Sequence, residues 1–430
     1  MKTFYLKNIS EQDRLELTKR PAFDSAAVAA SAQEIIRAVR EGGDKVLVEL
    51  TKKFDGIQLG GFQVSIEEID KAEQAVSPEF FLALETAAEN IRSFHSTQLV
   101  KEPAVETMPG VRCFRESRPI EKVGLYVPGG TAILPSTLLM LAVPARLAGC
   151  KRVVVCTPPN KSGKASPEIL AAAKVAGVTE LYLLGGAQAI AAMAYGTESI
   201  PKVDKIFGPG NQYVTAAKMI VSSDRSGVAI DMPAGPSEVL VIADQPANPA
   251  FVAADLLAQA EHGVDSQVVL VAIGDGIAQP IQEQLQRQLE LLPRRDIAAQ
   301  ALEKSLVIVA ESVGEAIDFS NSYAPEHLIL NIEKVDEVVL QIQSAGSVFL
   351  GPWTPESVGD YASGTNHTLP TYGYARGYSG VSVDSFCKKI TFQKLTPTGL
   401  KNIGRTVEVL AEAEGLMAHK NAVSIRLQSL

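Results

Sequence analysis

The sequence predicts an α/β protein in which parallel strands are covered by helices on both faces. Three observations carry that expectation. From Glu121 onward, short β-rich runs alternate with Ala-rich helical stretches, and a second series of the same kind starts at Glu238. Three of the strand-to-helix turns are rich in glycine, at positions where such folds commonly bind ligands.

The chain has 430 residues, of which 46% are hydrophobic and 21% charged, a composition that predicts two or three domains with ample core. A net charge of -9 and the lack of a basic run argue against a nucleic-acid surface. No apolar run reaches the length of a membrane span, and the N-terminal residues form no secretory h-region. The four cysteines, Cys113, Cys150, Cys156 and Cys387, show no C-x-x-C spacing and read as reduced thiols of a cytoplasmic protein. Any metal site must therefore use imidazole, carboxylate and amide groups.

In chain order, residues near 25–41 predict an amphipathic helix with Val28, Ile35, Ile36 and Val39 on one face, ended by Gly42-Gly43. A second helix opens with Ser77 as cap and Pro78 in its first turn, and runs through Phe81, Leu84 and Ile91. His95, near its end, reads as a dipole partner or a solvent-exposed residue. Strands are then expected near 123–127, 153–156 and 181–184, with helices near 136–148 and 168–176 and another after the third strand. The three glycine turns are Tyr126-Val-Pro-Gly-Gly-Thr131, Leu184-Gly-Gly-Ala-Gln188 and Phe207-Gly-Pro-Gly-Asn211. Glycine allows close backbone approach, and helix N-termini offer free N–H groups to phosphate. None of these turns is a G-x-G-x-x-G fingerprint, so tight connection and nucleotide binding both stand as readings.

The second series comprises 238–243, a helix, 268–273, a polar helix near 277–292, 306–310 and a helix near 313–320. Loops rich in Gly, Pro and Thr follow, carrying Ala324-Pro-Glu326-His327-Leu328 and a long stretch from Gly351 to His367. The tail from about Thr396 predicts two short helices broken near Gly415, whose apolar residues, among them Leu410, Leu416, Met417 and Ile425, need a partner surface.

The helix of the second series ends in Asp255-Leu-Leu-Ala-Gln259-Ala-Glu-His262-Gly263. Gln259 and His262, three apart, share one side of the last turn and could grip one metal ion. Equally, a histidine at a helix C-terminus suits the dipole. There are five histidines, and His262, His327 and His419 lie beside Gln259, Glu326 and Glu414 respectively. Two imidazoles, a carboxylate such as Asp360 and an amide oxygen would suit zinc. Asp360 could instead cap a turn, and His419 could be an exposed tail residue.

The runs Gly124-Leu-Tyr-Val-Pro-Gly-Gly-Thr131, Phe207-Gly-Pro-Gly-Asn-Gln-Tyr213, Asp231-Met-Pro-Ala-Gly-Pro-Ser237-Glu, Gln259-Ala-Glu-His262-Gly and Ala324-Pro-Glu-His-Leu328 resemble histidinol dehydrogenases. So does Ser357-Val-Gly-Asp360-Tyr-Ala-Ser-Gly-Thr-Asn-His-Thr-Leu-Pro370, and the likeness runs from the N-terminal helices to the tail. That resemblance implies oxidation of L-histidinol to L-histidine through L-histidinaldehyde, the last step of histidine biosynthesis, with two NAD reduced. By the same resemblance Gln259, His262, Asp360 and His419 are ligands of one Zn²⁺ per subunit. Ser237, His327 and Glu414 join them in holding substrate; Tyr126, Gln188 and Asn211 bind NAD; Glu326 and His327 are the acid–base pair.

The fold so implied has two incomplete Rossmann-like domains, as in aldehyde dehydrogenases, with small terminal segments, in an interwoven homodimer with a swapped tail. It places residues 1–25 in an N-terminal segment and joins 26–122 to 236–382 in a larger domain. The inserted NAD-binding domain takes 123–235, and the tail 383–430. Three competing readings are a thiol-type aldehyde dehydrogenase, a zinc hydrolase and a non-catalytic metal- or nucleotide-binding module. The first needs a nucleophilic cysteine, whereas Cys150 and Cys156 read as core. The last leaves Glu326 and His327 without a task.

Overall fold

Two parallel sheets organise the computed structural model, which describes residues 1–20, 25–129 and 132–430. The six-stranded sheet runs, in spatial order, Lys2–Tyr5, Leu306–Ala310, Gln267–Ile273, Glu238–Ala243, His327–Asn331 and Ser347–Leu350. The five-stranded sheet runs Glu180–Leu183, Arg152–Thr157, Lys122–Tyr126, Lys205–Phe207 and Ala229–Ile230. All pairs within both sheets are parallel. Chain order reverses between Lys122–Tyr126 and Lys205–Phe207, and again between Glu238–Ala243 and His327–Asn331. The two-series rhythm in the sequence thus corresponds to two sheets.

The Glu238–Ala243 strand is buried along its whole length because both of its faces are covered. Val239 and Val241 pack with Val252 and Leu256 of helix Pro249–Ala260, while Leu240 and Ile242 pack with Ile317 and Phe319 of helix Val313–Tyr323. Covering on both faces explains the unbroken hydrophobic run Val239–Ala243 that follows Glu238. In the five-stranded sheet Val153–Thr157 is buried in the same way, after a half-exposed Arg152.

Helices Ser25–Asp55 and Pro78–Ser96 do not join the six-stranded sheet. Their buried Ile36, Val39, Ala88 and Ile91 share a core with Val123, Leu125 and Met193, around the five-stranded sheet. An amphipathic stripe shows that a helix has a buried side but does not say against which sheet. Gly42-Gly43 ends the first helical segment, as the sequence predicts, and a second segment follows directly across a kink. Gly43 takes φ 54°, the backbone turns, and helix resumes with the Asp44 N–H held by Glu198 at 2.8 Å. His95 is buried rather than exposed, with its Nδ1 2.9 Å from the Ile91 carbonyl.

Two features were not anticipated. Lys2–Tyr5 forms an edge strand beside Leu306–Ala310. Val105–Met108, Val111–Pro119 and Cys387–Leu395 form an antiparallel sheet, and the last strand leads into the tail helices. Those helices, Pro397–Ala413 and Met417–Gln428, break at Gly415 (φ 73°) as the sequence predicts, and they pack on each other.

Candidate active site between the two sheets

A cleft of about 450 Å³ lies between opposite edges of the two sheets. The five-stranded sheet contributes residues that follow the carboxyl ends of its strands: Pro128 and the Pro209–Tyr213 turn. The six-stranded sheet contributes its amino edge, through Ser237, Ser266, Glu326 and His327. The usual placement of ligands at carboxyl ends therefore describes only one wall.

His327 is the first residue of its strand and Glu326 immediately precedes it. Helix Val313–Tyr323 stops at Ala324, whose left-handed φ of 53° swings the chain through Pro325 into the strand. Both side chains are consequently buried at the cleft floor. Glu326 Oε2 accepts the Glu238 N–H at 2.8 Å, and His327 Nδ1 lies 3.1 Å from the Glu238 carbonyl. With Nδ1–H donating to that carbonyl, Nε2 is the ring nitrogen not tied to the backbone, and it faces Asp360.

Three carboxylates surround the imidazole. Glu326 and Glu356 lie 3.6 and 3.8 Å from Nδ1, and Asp360 lies 3.4 Å from Nε2. Burial would lower the His327 pKa, but Glu356, Glu326 and Asp360 outweigh it and hold the value well above the ordinary one. Burial pushes Glu326 up to about 8 even with His327 and the Glu238 N–H opposing it. Asp360 ends below the usual carboxylate range: burial would raise it, but His327, His367 and His262 prevail.

His262, Glu356 and Asp360 bring one ligand atom each within 4.8 Å of one another. Asp360 Oδ1 and His327 Nε2 are buried and lack a hydrogen bond among the described residues. Gln259 is fully buried in the last turn of helix Pro249–Ala260, and its Nε2 donates to Glu356 in the orientation that satisfies both groups. That leaves its Oε1 available as a ligand. A hard or borderline cation suits this set of amide oxygen, imidazole and carboxylate.

The expected site residues divide into three groups. Ser237, His262, Glu326, His327, Asp360 and Asn211 line the cleft, and Gln259 lies behind it against Glu356. Tyr126 and Gln188 are buried and do not line it. The Tyr126 hydroxyl accepts the Gly186 N–H at 2.9 Å, tying the strand end to the start of helix Gly186–Tyr195, which contains Gln188. Asn211 also caps helix Gln212–Ser223, accepting from the Tyr213 and Val214 N–H groups at 3.0 and 3.1 Å. Gly208 holds this turn close: its φ is 119°, and a Cβ there would meet the Tyr126 carbonyl oxygen at 2.1 Å. Gly130 and Thr131, from the first glycine turn, lie outside the described residues. Glu414 and His419 form the third group. Both are exposed on the tail helices and do not line the cleft of their own chain.

The sequence matches the histidinol dehydrogenase family model over residues 18–427. The chain belongs to the histidinol dehydrogenase family. It is 56% identical over 425 residues to the histidinol dehydrogenase of Bacteroides thetaiotaomicron, covering 99% of each chain. It is 55% identical to the chloroplastic histidinol dehydrogenase of Arabidopsis thaliana, covering all of this chain and 92% of that one. The crystal structure of histidinol dehydrogenase from Elizabethkingia anophelis superposes with a TM-score of 0.95 at 54% identity, covering 100% of this chain and 98% of that chain. As a histidinol dehydrogenase the chain is an oxidoreductase of histidine biosynthesis.

Sequence reasoning about this histidinol dehydrogenase missed Glu356 and His367. Glu356 is 1% exposed and touches both Gln259 and His327. His367 bridges Thr137 Oγ1 at 3.1 Å and the Asp360 carbonyl at 2.7 Å, fixing the Asp360 loop against helix Pro135–Ala148. Both stand in the loop stretch singled out for its composition. No spacing rule marks their partners. The thiols, in contrast, match their reading: Cys150 and Cys156 are buried, burial pushes Cys150 up to about 12 and raises Cys156 further, and neither lines the cleft.

Proposed function

We propose that the cleft carries out the four-electron oxidation of L-histidinol to L-histidine through L-histidinaldehyde. Glu326 and His327 serve as the acid–base pair. One Zn²⁺ would be held by Gln259, His262 and Asp360, with His419 of the partner subunit as the fourth protein ligand. Ser237, together with Glu414 of the partner subunit, completes the substrate contacts in this reading. Tyr126, Gln188 and Asn211 form the NAD side. The observation that carries the proposal is the placement of Glu326 and His327 at one end of a cleft whose other wall is the Pro209–Tyr213 turn, with His262 and Asp360 beside them.

When bound, Zn²⁺ would supply a fixed anchor for substrate nitrogens, and NAD would accept the hydride. The protein's own work is proton handling. Each oxidation requires a proton to leave oxygen, and His327 Nε2, beside Asp360, is the imidazole nitrogen not tied to the backbone. Asp360 is one of three carboxylates that raise His327, so engaging Asp360 as a ligand would bring the imidazole closer to its neutral, base-competent form. The aldehyde step also consumes water. Glu326, anchored through one oxygen by the Glu238 N–H, is placed to activate it.

The yield of NADH on limiting L-histidinol tests the reading. About two NADH per substrate are expected from four-electron chemistry. A yield near one, or metal-dependent turnover without NAD, would overturn it.

A further inference from the structure

Arg20 lies far from the cleft in sequence, and its buried side chain reaches the backbone that holds the acid–base pair. Its guanidinium is 6% exposed and its partner, Glu238, 1%. All five N–H donors are engaged. Nε and one Nη2 donor meet the two Glu238 carboxylate oxygens at 2.8 and 2.7 Å. Nη1 donates to the carbonyls of Thr18 and Tyr323 at 2.9 and 2.7 Å, and Nη2 also reaches the Ala324 carbonyl at 3.3 Å. The guanidinium stacks on the Tyr323 ring at 3.5 Å. A bidentate, stacked and fully satisfied arginine is a rigid joint rather than a surface charge pair.

The joint connects two segments with one consequence. Glu238 begins the strand whose N–H and carbonyl receive Glu326 Oε2 and His327 Nδ1. Tyr323 and Ala324 form the left-handed turn from which Glu326 and His327 emerge. Tyr372, itself at φ 56°, closes the other side by donating its N–H to Glu238 Oε1 at 3.1 Å. We infer that Arg20 is a positioning residue for catalysis. It locks the start of the Glu238 strand against the Ala324 turn, so that Glu326 and His327 keep a fixed mutual geometry. The N-terminal segment thereby sets the turnover rate without touching substrate. This rests on Glu326 and His327 being the acid–base pair.

The test compares Arg20→Lys and Arg20→Ala in the zinc-loaded, full-length enzyme, assayed well below each variant's measured Tm. Lysine keeps a positive charge opposite Glu238 but cannot reproduce the fork. Misplacement by about an ångström can cost on the order of 100-fold in rate. Arg20→Lys should therefore lose about 10- to 100-fold in kcat, with KM for L-histidinol and zinc affinity in chelator competition unchanged within about twofold. Added guanidinium ion should restore part of the kcat of Arg20→Ala and none of that of Arg20→Lys, whose side chain fills the space. Wild-type kcat in Arg20→Lys would overturn the inference, as would a loss that merely tracks lost zinc or lost folded protein. If Arg20→Ala does not fold, Arg20→Lys alone decides. Absence of L-histidinol oxidation by the wild type in the same assay would instead count against the proposed function.

Discussion

Adjacent in sequence, Glu326 and His327 are held differently by one neighbour, since the Glu238 N–H takes the carboxylate and its carbonyl takes the imidazole. In the proposed mechanism the pair takes distinct roles. Glu326→Gln should impair aldehyde oxidation more than alcohol oxidation, because only the aldehyde step needs water activated. His327→Ala should damage both steps. Removing a general base typically costs about 10²–10⁴-fold. Separate single-turnover assays on the alcohol and the aldehyde measure this, and equal losses at both steps in Glu326→Gln would end the division of labour. This pair was legible in the sequence because it stands in one short motif. Glu356 and Arg20 were not. Each draws its meaning from partners far along the chain, Gln259 for one and Glu238 with Tyr323 for the other, and no periodicity records a long-range buried contact.

Among the elements, helix Pro249–Ala260 carries an internal conflict. It buries Asp255 one turn before Gln259, and burial pushes that carboxyl up to about 7. An unfolded aspartate titrates near 3.9, so the native chain holds this proton more tightly than the unfolded one. The contribution of Asp255 to stability is therefore full below about pH 4 and is lost as the pH rises through about 7. The span corresponds to at most about 4 kcal/mol. Asp255→Asn should abolish this dependence. In chelator-treated protein, its Tm relative to wild type should climb between about pH 4 and pH 8. A constant difference across that range would show that Asp255 is not buried as an isolated acid. The helix itself was readable from its apolar spacing, its Pro249 start and Gly263 beyond its end. Its buried aspartate was readable as a residue but not as a strained one, since a helix pattern does not report what covers each face. The Gly42-Gly43 pair makes the same point: glycine marked the break, but not the helical segment beyond it, whose Asp44 N–H is held by Glu198.

For the whole molecule, the two βα series foretold two parallel sheets, whereas the partners of the first two long helices and the three-stranded antiparallel sheet depended on contacts that local pattern does not encode. The tail poses the remaining question at this scale. Glu414 and His419 are exposed on a helical pair that also exposes Leu410, Leu416, Met417 and Ile425, and neither polar residue lines the cleft of its own chain. A reciprocal exchange in a two-fold dimer would cover the apolar residues and deliver both polar groups to the opposite cleft. Complementation measures it. Asp360→Ala damages the body of a site, and His419→Ala damages the tail it donates. In a mixed dimer, one site then combines an intact body with an intact tail, and the other carries both lesions. Random mixing makes about half the dimers mixed with one repaired site in two, so roughly a quarter of wild-type activity should return. Mixed dimers that recover nothing above either parent would show that each tail serves its own chain.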